Sequence, residues 1–183
     1  MSKIVQAGDV AKNIHLWTTE STKFSLFTAT EKSPVLLAFF PCAFTKHENK
    51  VLNGINEKYN KLFKDLNVRI IGISTDTHWT LDAYKIQKKI KFELASDFNK
   101  DAAKTYGILM DKYSSYGYNG VAKEACFLIA FDKKENKNFI EYMKVFDDMK
   151  DEFNPDKVAN LIMNKWGKKA MSRSVGDRTS NKN

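Results

Sequence analysis

An α/β domain with a central mixed sheet and helices on both faces is the fold class that the sequence predicts. Three observations point there. Two apolar runs, Val35-Leu36-Leu37-Ala38-Phe39-Phe40 and the stretch 68–74 with Ile70, Ile71 and Ile73, read as strands buried on both faces. Each run is followed by apolar residues at helical spacing, so the two strands should lie parallel through right-handed crossovers. A hairpin signal and a capped helix then close the chain.

In order along the chain, residues 23–28 read as a strand, with Phe24, Leu26 and Thr28 on one face. Glu31-Lys32-Ser33-Pro34 reads as a turn before the first buried strand. A helix should run from Thr45 or Lys46 to Phe63, with Val51, Leu52, Ile55, Tyr59, Leu62 and Phe63 on its inner face. Asp76 or Thr77 can cap the next helix, about 78–89. Residues 92–95 suit a short strand, and a short helix ends at Gly107. Residues 125–131 and 139–145 make the hairpin around a turn at 132–138. Asn154 caps a last helix whose first position, Pro155, lacks an amide that would be orphaned there anyway. This order matches thioredoxin-like folds.

Bulk properties narrow the classes. The chain has 183 residues, 43% of them hydrophobic, which suits one domain with a sizeable core. No apolar run approaches the roughly 18 residues of a membrane helix. The stretch Met1-Ser2-Lys3-Ile4-Val5-Gln6 has no secretory character, so a cytoplasmic location is expected. Two cysteines, Cys42 and Cys126, are too few for a disulfide scaffold. His15, His47 and His78 are scattered and no metal-ligand spacing occurs, so neither metal nor cofactor is expected. The net charge is +8, with Lys168, Lys169, Arg173, Arg178 and Lys182 near the end. Residues 1–166 are read as the domain and 167–183 as a basic tail. Such a tail can be a frayed terminus or can touch nucleic acid or an anionic surface.

Several short motifs, in order, carry a resemblance. They are Gly8-Asp9-Val10-Ala11, Phe39-Phe40-Pro41-Cys42-Ala43-Phe44-Thr45, Gly72-Ile73-Ser74-Thr75-Asp76, Ser96-Asp97-Phe98 with Tyr106-Gly107-Ile108, and Gly120-Val121-Ala122-Lys123-Glu124-Ala125-Cys126-Phe127. On these the chain resembles a peroxiredoxin of the alkyl hydroperoxide reductase/thiol-specific antioxidant family, from about Lys3 to Lys165. The resemblance implies a thioredoxin-like three-layer fold and a thiol-dependent peroxidase, commonly dimeric.

It also exposes a mismatch. The segment from Pro41 resembles the family's P-x-x-x-T-x-x-C, with Pro41 and Thr45 in place, but Glu48 stands at the peroxidatic cysteine position. Glu124 stands at the position of the active-site arginine, and Val51 at that of an acid. A carboxylate has no oxidised state from which it could be reduced again. If Glu48 and Glu124 share a pocket, two anions would repel a third. The bland alternative is that both have drifted to solvated positions on a disused pocket. Cys42 could be a displaced thiol nucleophile, or a small half-buried side chain where glycine usually sits. Cys126 suits the core, and His47 an exposed helix position. Trp79 and Phe98 suit packing around the old pocket. The expectation is therefore a peroxiredoxin-like protein without peroxidase activity that binds or scaffolds, with a homodimer as its first partner. Hydroperoxide reduction through Cys42 is the alternative, and an anionic partner for the tail is the third reading.

Overall fold

A computed structural model describes residues 3–45, 49–146 and 151–167. The strands are β1 (His15–Thr18), β2 (Lys23–Ser25), β3 (Val35–Phe39), β4 (Arg69–Ser74), β5 (Glu93–Ser96), β6 (Leu109–Met110), β7 (Val121–Ala122), β8 (Ala125–Asp132) and β9 (Lys137–Val145). The helices are α1 (Leu26–Thr30), α2 (Lys50–Lys58), α3 (His78–Lys88), α4 (Asp101–Thr105) and α5 (Pro155–Ile162). A π turn, Tyr59–Phe63, extends α2, and another, Met163–Gly167, extends α5.

Seven strands form one mixed sheet in the order β2-β1-β5-β4-β3-β8-β9. β3 runs parallel to β4, and β4 to β5, as crossover helices require. β8 and β9 add the antiparallel hairpin on the β3 side. All five residues of β3 are fully buried, because both faces of this strand are covered. Leu37 and Phe39 enter one core cluster, with Leu26 of α1 and Ala102 and Ala103 of α4. Leu36 and Ala38 enter the other, with Leu52 of α2, Leu81 of α3 and Val158 of α5. The three-layer arrangement with helices on both faces is thus the one the pattern predicts.

Local signals explain most boundaries. The Thr77 hydroxyl accepts the Thr80 amide and caps α3, and Asn154 Oδ1 accepts the Lys157 amide and caps α5. The Asp97 carboxylate, 2% exposed, accepts the amides of Ala102 at 2.9 Å and Ala103 at 2.8 Å. The Ser96-Asp97-Phe98 motif is therefore an architectural clamp on α4. Tyr106, fully buried, packs against Phe39 and Phe127 and donates to the Lys12 carbonyl. Gly107 has φ +71°, and a Cβ there would lie 2.5 Å from the Lys3 carbonyl oxygen.

Two expectations are corrected. Residues 23–28 are not one strand: β2 stops at Ser25, and Leu26–Thr30 is helical. The Asn13 side chain accepts the Phe27 amide, and Leu26, Ala29 and Thr30 turn inward together at helical spacing. The helix expected from Thr45 or Lys46 is described from Lys50, and Thr45 is not helical. Asn49, 5% exposed, is drawn inward and its side-chain amide donates to the Cys42 carbonyl and the Tyr84 hydroxyl. Lys46, His47 and Glu48 lie outside the described residues, as does the basic tail from 168 onward.

Gly72 of β4 sits where layers meet. A Cβ built there would be 2.5 Å from Leu94 Cδ2 and 2.8 Å from Leu52 Cδ1. Gly72→Val should therefore destabilise the domain by about 1–3 kcal/mol through overpacking. Urea unfolding that shows an unchanged midpoint would refute this.

Candidate active site

The β3 strand ends at Phe39, and the chain then crosses the top of the sheet through Pro41, Cys42, Ala43 and Phe44 before reaching α2. Phe44 holds φ +57° and sets its ring edge-on to Tyr84, with centroids 5.1 Å apart. Pro41, Cys42 and Thr45 are half-buried along this crossing. The Asp76 carboxylate, just past β4, accepts the Ala43 amide at 2.8 Å and the Ser74 hydroxyl at 2.7 Å.

Glu124 reaches the same region from the start of β8. Its carboxylate Oε1 accepts the Val51 amide, in the first turn of α2, at 2.7 Å. Its backbone is held as well, since its carbonyl accepts the Phe146 amide at 2.9 Å. Asn49 makes no side-chain cap, so Glu124 supplies from 73 residues away an acceptor that a helix start normally finds next door. Glu124 has not drifted into solvent, which corrects that alternative. Burial pushes its carboxyl above the usual range, opposed by the Val51 amide and by the charge of Lys50.

Tyr113 is a site residue that the sequence reading missed. It shares a side-chain hydrogen bond with Thr45, and its hydroxyl is pushed upward first by burial, then by the charges of Cys42 and Glu124. Its loop is fixed by paired backbone hydrogen bonds between Tyr113 and Tyr118. The sequence signal is the set Tyr113, Tyr116 and Tyr118 in the otherwise polar stretch 111–119. Thr45, Cys42, Glu124 and Tyr113 are thus brought together. Glu48 lies outside the described residues, so its side chain cannot be added to the set.

Neither cysteine is in a disulfide. Burial and the Asp76 charge push the Cys42 thiol up to about 11. Burial and the neighbouring negative charge both disfavour the thiolate that any peroxide chemistry needs. Cys126 is fully buried in β8, its thiol pushed up further by burial alone, which fits the expected core role. Val51 is buried in the core. Trp79 and Phe98 do not pack around this pocket: they are 74% and 56% exposed on a separate groove. Among the described residues, no group of three or more His, Cys, Asp or Glu could hold a metal ion. Among them, too, no helix is long and apolar enough to cross a membrane.

The AhpC/TSA family matches residues 7–137, a span that holds Pro41, Cys42, Thr45, Tyr113 and Glu124. The chain belongs to the AhpC/TSA family. Peroxiredoxin Bcp of Escherichia coli K12 is 29% identical over 159 residues, which is 86% of this chain and 96% of that protein. Among solved structures, the reduced 2-Cys peroxiredoxin of Plasmodium vivax aligns with TM-score 0.69 and 22% identity, over 88% of this chain and 96% of that one. A peroxiredoxin-like protein from Aquifex aeolicus aligns with TM-score 0.70 and 20% identity, over 89% of each chain. These structural likenesses bear on the fold. Within this AhpC/TSA domain, the helix amide and the loop amide beside the candidate site are each held by a carboxylate.

Two measurements check these electrostatics. With its thiol near 11, only about one Cys42 in ten thousand is ionised at neutral pH. Its rate with an aromatic disulfide reagent should climb about tenfold per pH unit above neutrality, without levelling below about pH 9. Cys126 should stay unreactive until the protein unfolds. A plateau near neutrality would show that the thiolate is stabilised instead. For Glu124, a raised folded-state value means that the folded protein holds the proton more tightly than the unfolded chain. Its contribution is therefore best below the ordinary 4.5 and is lost as pH rises through the folded value. Glu124→Gln, which keeps an acceptor for Val51, should gain stability relative to the native protein across that window. A difference that does not vary with pH would refute the assignment.

Proposed function

We propose that this AhpC/TSA protein has lost thiol peroxidase activity and acts as a binding or scaffold protein. One observation carries the reading: the Glu124 carboxylate sits on the Val51 amide at 2.7 Å. A peroxidase of this build needs a helix start that is free to stabilise a thiolate and a cation to share the developing charge. Here an internal anion already occupies the amide, at the position where the resemblance puts arginine. Glu48 at the peroxidatic position removes the nucleophile itself.

Tyr113 shares a side-chain hydrogen bond with Thr45, and the Asn49 side-chain amide donates to the Cys42 carbonyl and the Tyr84 hydroxyl, so these polar groups are engaged within the protein. With the Glu124 and Asp76 carboxylates beside them, these groups resist entry of an anion, and Cys42 is held as a thiol rather than as the thiolate that would attack a neutral peroxide. The alternative reading runs the chemistry through Cys42, which shares this neighbourhood with Tyr113. Desolvation and Asp76 both oppose it. A third reading gives the tail, residues 167–183, an anionic partner; binding would then weaken steeply with salt and vanish on truncation. As a scaffold, the chain is further proposed to pair with a second copy of itself.

The deciding experiment is hydrogen peroxide consumption by the purified protein with a thiol reductant, beside a Glu48→Cys, Glu124→Arg double variant. The native protein should turn over no peroxide above the reductant blank, and a sulfenic-acid probe should leave Cys42 unlabelled. The double variant should gain turnover. Native turnover that disappears in Cys42→Ser would overturn the proposal in favour of the displaced thiol.

A further inference from the structure

Eight residues in a row, Tyr113-Ser114-Ser115-Tyr116-Gly117-Tyr118-Asn119-Gly120, are drawn from tyrosine, serine, glycine and asparagine alone. The run lies between the paired strands β6 and β7. It has no aliphatic side chain to give to a core, yet its backbone is held. Tyr113 and Tyr118 exchange both backbone hydrogen bonds, at 2.7 and 3.1 Å. The Gly117 amide donates to the Ser114 carbonyl, and the Tyr116 amide to the Ser114 hydroxyl. Gly117 at φ +74° and Gly120 at φ +73° supply the left-handed turns that close this small hairpin.

The hairpin turns two of its tyrosines outward. Tyr116 is 79% exposed and Tyr118 59%. Their rings stack on each other, 5.6 Å between centres and 25° between planes. The stack is thus formed without a ligand, and its outer faces stand in water. Cations border it. From residue 102 to residue 123 the chain carries Lys104, Lys112 and Lys123 against one acid, Asp111. The Lys112 stem runs beside Gly117, where a Cβ would lie 3.9 Å from its Cε, and the Lys100 stem lies over Gly120. The next carboxylate along the chain, Glu124, is engaged by the Val51 amide.

This chemistry narrows the occupant. Stacked rings with open faces suit flat, polarisable groups, and the serine hydroxyls and Asn119 offer hydrogen bonds beside them. Loops of this composition also serve protein recognition. The lysine margin, on a chain of net charge +8, favours an anion. Unpaired bases on a phosphate backbone meet both demands, since every base has a π face and every linkage a charge.

We infer that the Tyr116–Tyr118 hairpin is a platform for single-stranded nucleic acid, with bases stacking on the outer ring faces and Lys112 holding the phosphate backbone. The inference rests on the binding role proposed above and names its partner class; peroxide turnover is read separately, so either can fail alone.

Fluorescence anisotropy of a labelled oligothymidine of about 12 nucleotides, titrated with the full chain, tests it. The native protein should bind with a dissociation constant on the order of 10 μM at about 50 mM salt, and about tenfold more weakly at about 200 mM. Tyr116→Ala and Tyr118→Ala, both at exposed positions and both checked for native circular dichroism, should each weaken binding about tenfold or more. Tyr116→Phe should stay within about twofold, because the ring face and not the hydroxyl makes the stack. Lys112→Gln should weaken binding and flatten its salt dependence. A duplex of the same length, with its base faces covered, should bind at least about tenfold more weakly although it carries twice the charge. No binding by the native protein would overturn the inference. Binding that both alanine variants leave unchanged would overturn it in favour of the basic tail, and a duplex bound as tightly as the single strand would reduce it to charge alone and overturn it too.

Discussion

One hydrogen bond organises the candidate site: the Glu124 carboxylate accepting the Val51 amide. It joins the first turn of α2, which packs on one face of β3, to the start of β8, which pairs with β3 in the sheet. A helix start carries unpaired amides and a partial positive charge, and something must answer both. Asn49 at the cap position does not, because its side chain is turned inward to Cys42 and Tyr84. Glu124 therefore does two jobs, one in stability and one in chemistry. It closes the helix, and it takes the place from which a positive helix end would act on a reacting group. The cost is a half-buried carboxylate whose ionisation burial opposes.

Asp76 repeats the arrangement one loop away. Its carboxylate holds the Ala43 amide and the Ser74 hydroxyl, and its charge adds to the burial that raises the Cys42 thiol. Together the two acids convert backbone that could receive an anion into backbone already satisfied. The motifs that this chain shares with the AhpC/TSA family serve packing. Asp97 clamps α4, Tyr106 fills the core beside Phe39 and Phe127, and Gly72 lets β4 lie against Leu52 and Leu94. None of these roles needs a thiolate.

Much of this was legible in the residues, and the rest was not for physical reasons. The continuous apolar runs of β3 and β4 and the caps at Thr77 and Asn154 are local signals, and they placed the central layers. The segment after Phe24 misled because Leu26 and Thr28 alternate as in a strand, while the Asn13 side chain and the inward set Leu26, Ala29 and Thr30 impose a helix. The start of α2 was misjudged because inner-face periodicity does not report where capping succeeds. The pairing of Glu124 with Val51 spans 73 residues of chain, so no window of sequence contains it. Tyr113 joins the site only because its loop folds back through the Tyr113–Tyr118 pairing. The resemblance assigned residues to positions; it could not say that Glu124 would be put to use.

The ends of the sheet limit how copies of this molecule can meet. β9 is an outermost strand of nine residues, long enough to template another strand. Its pairing with β8 slips between Leu128 and Ile129, and it carries Lys137, Glu141 and Lys144. The irregularity twists the border and the charges make a dry seam there costly. β2, at the opposite border, is three residues long and begins with Lys23. Strand addition is thus discouraged at both margins, which guards against open-ended fibres.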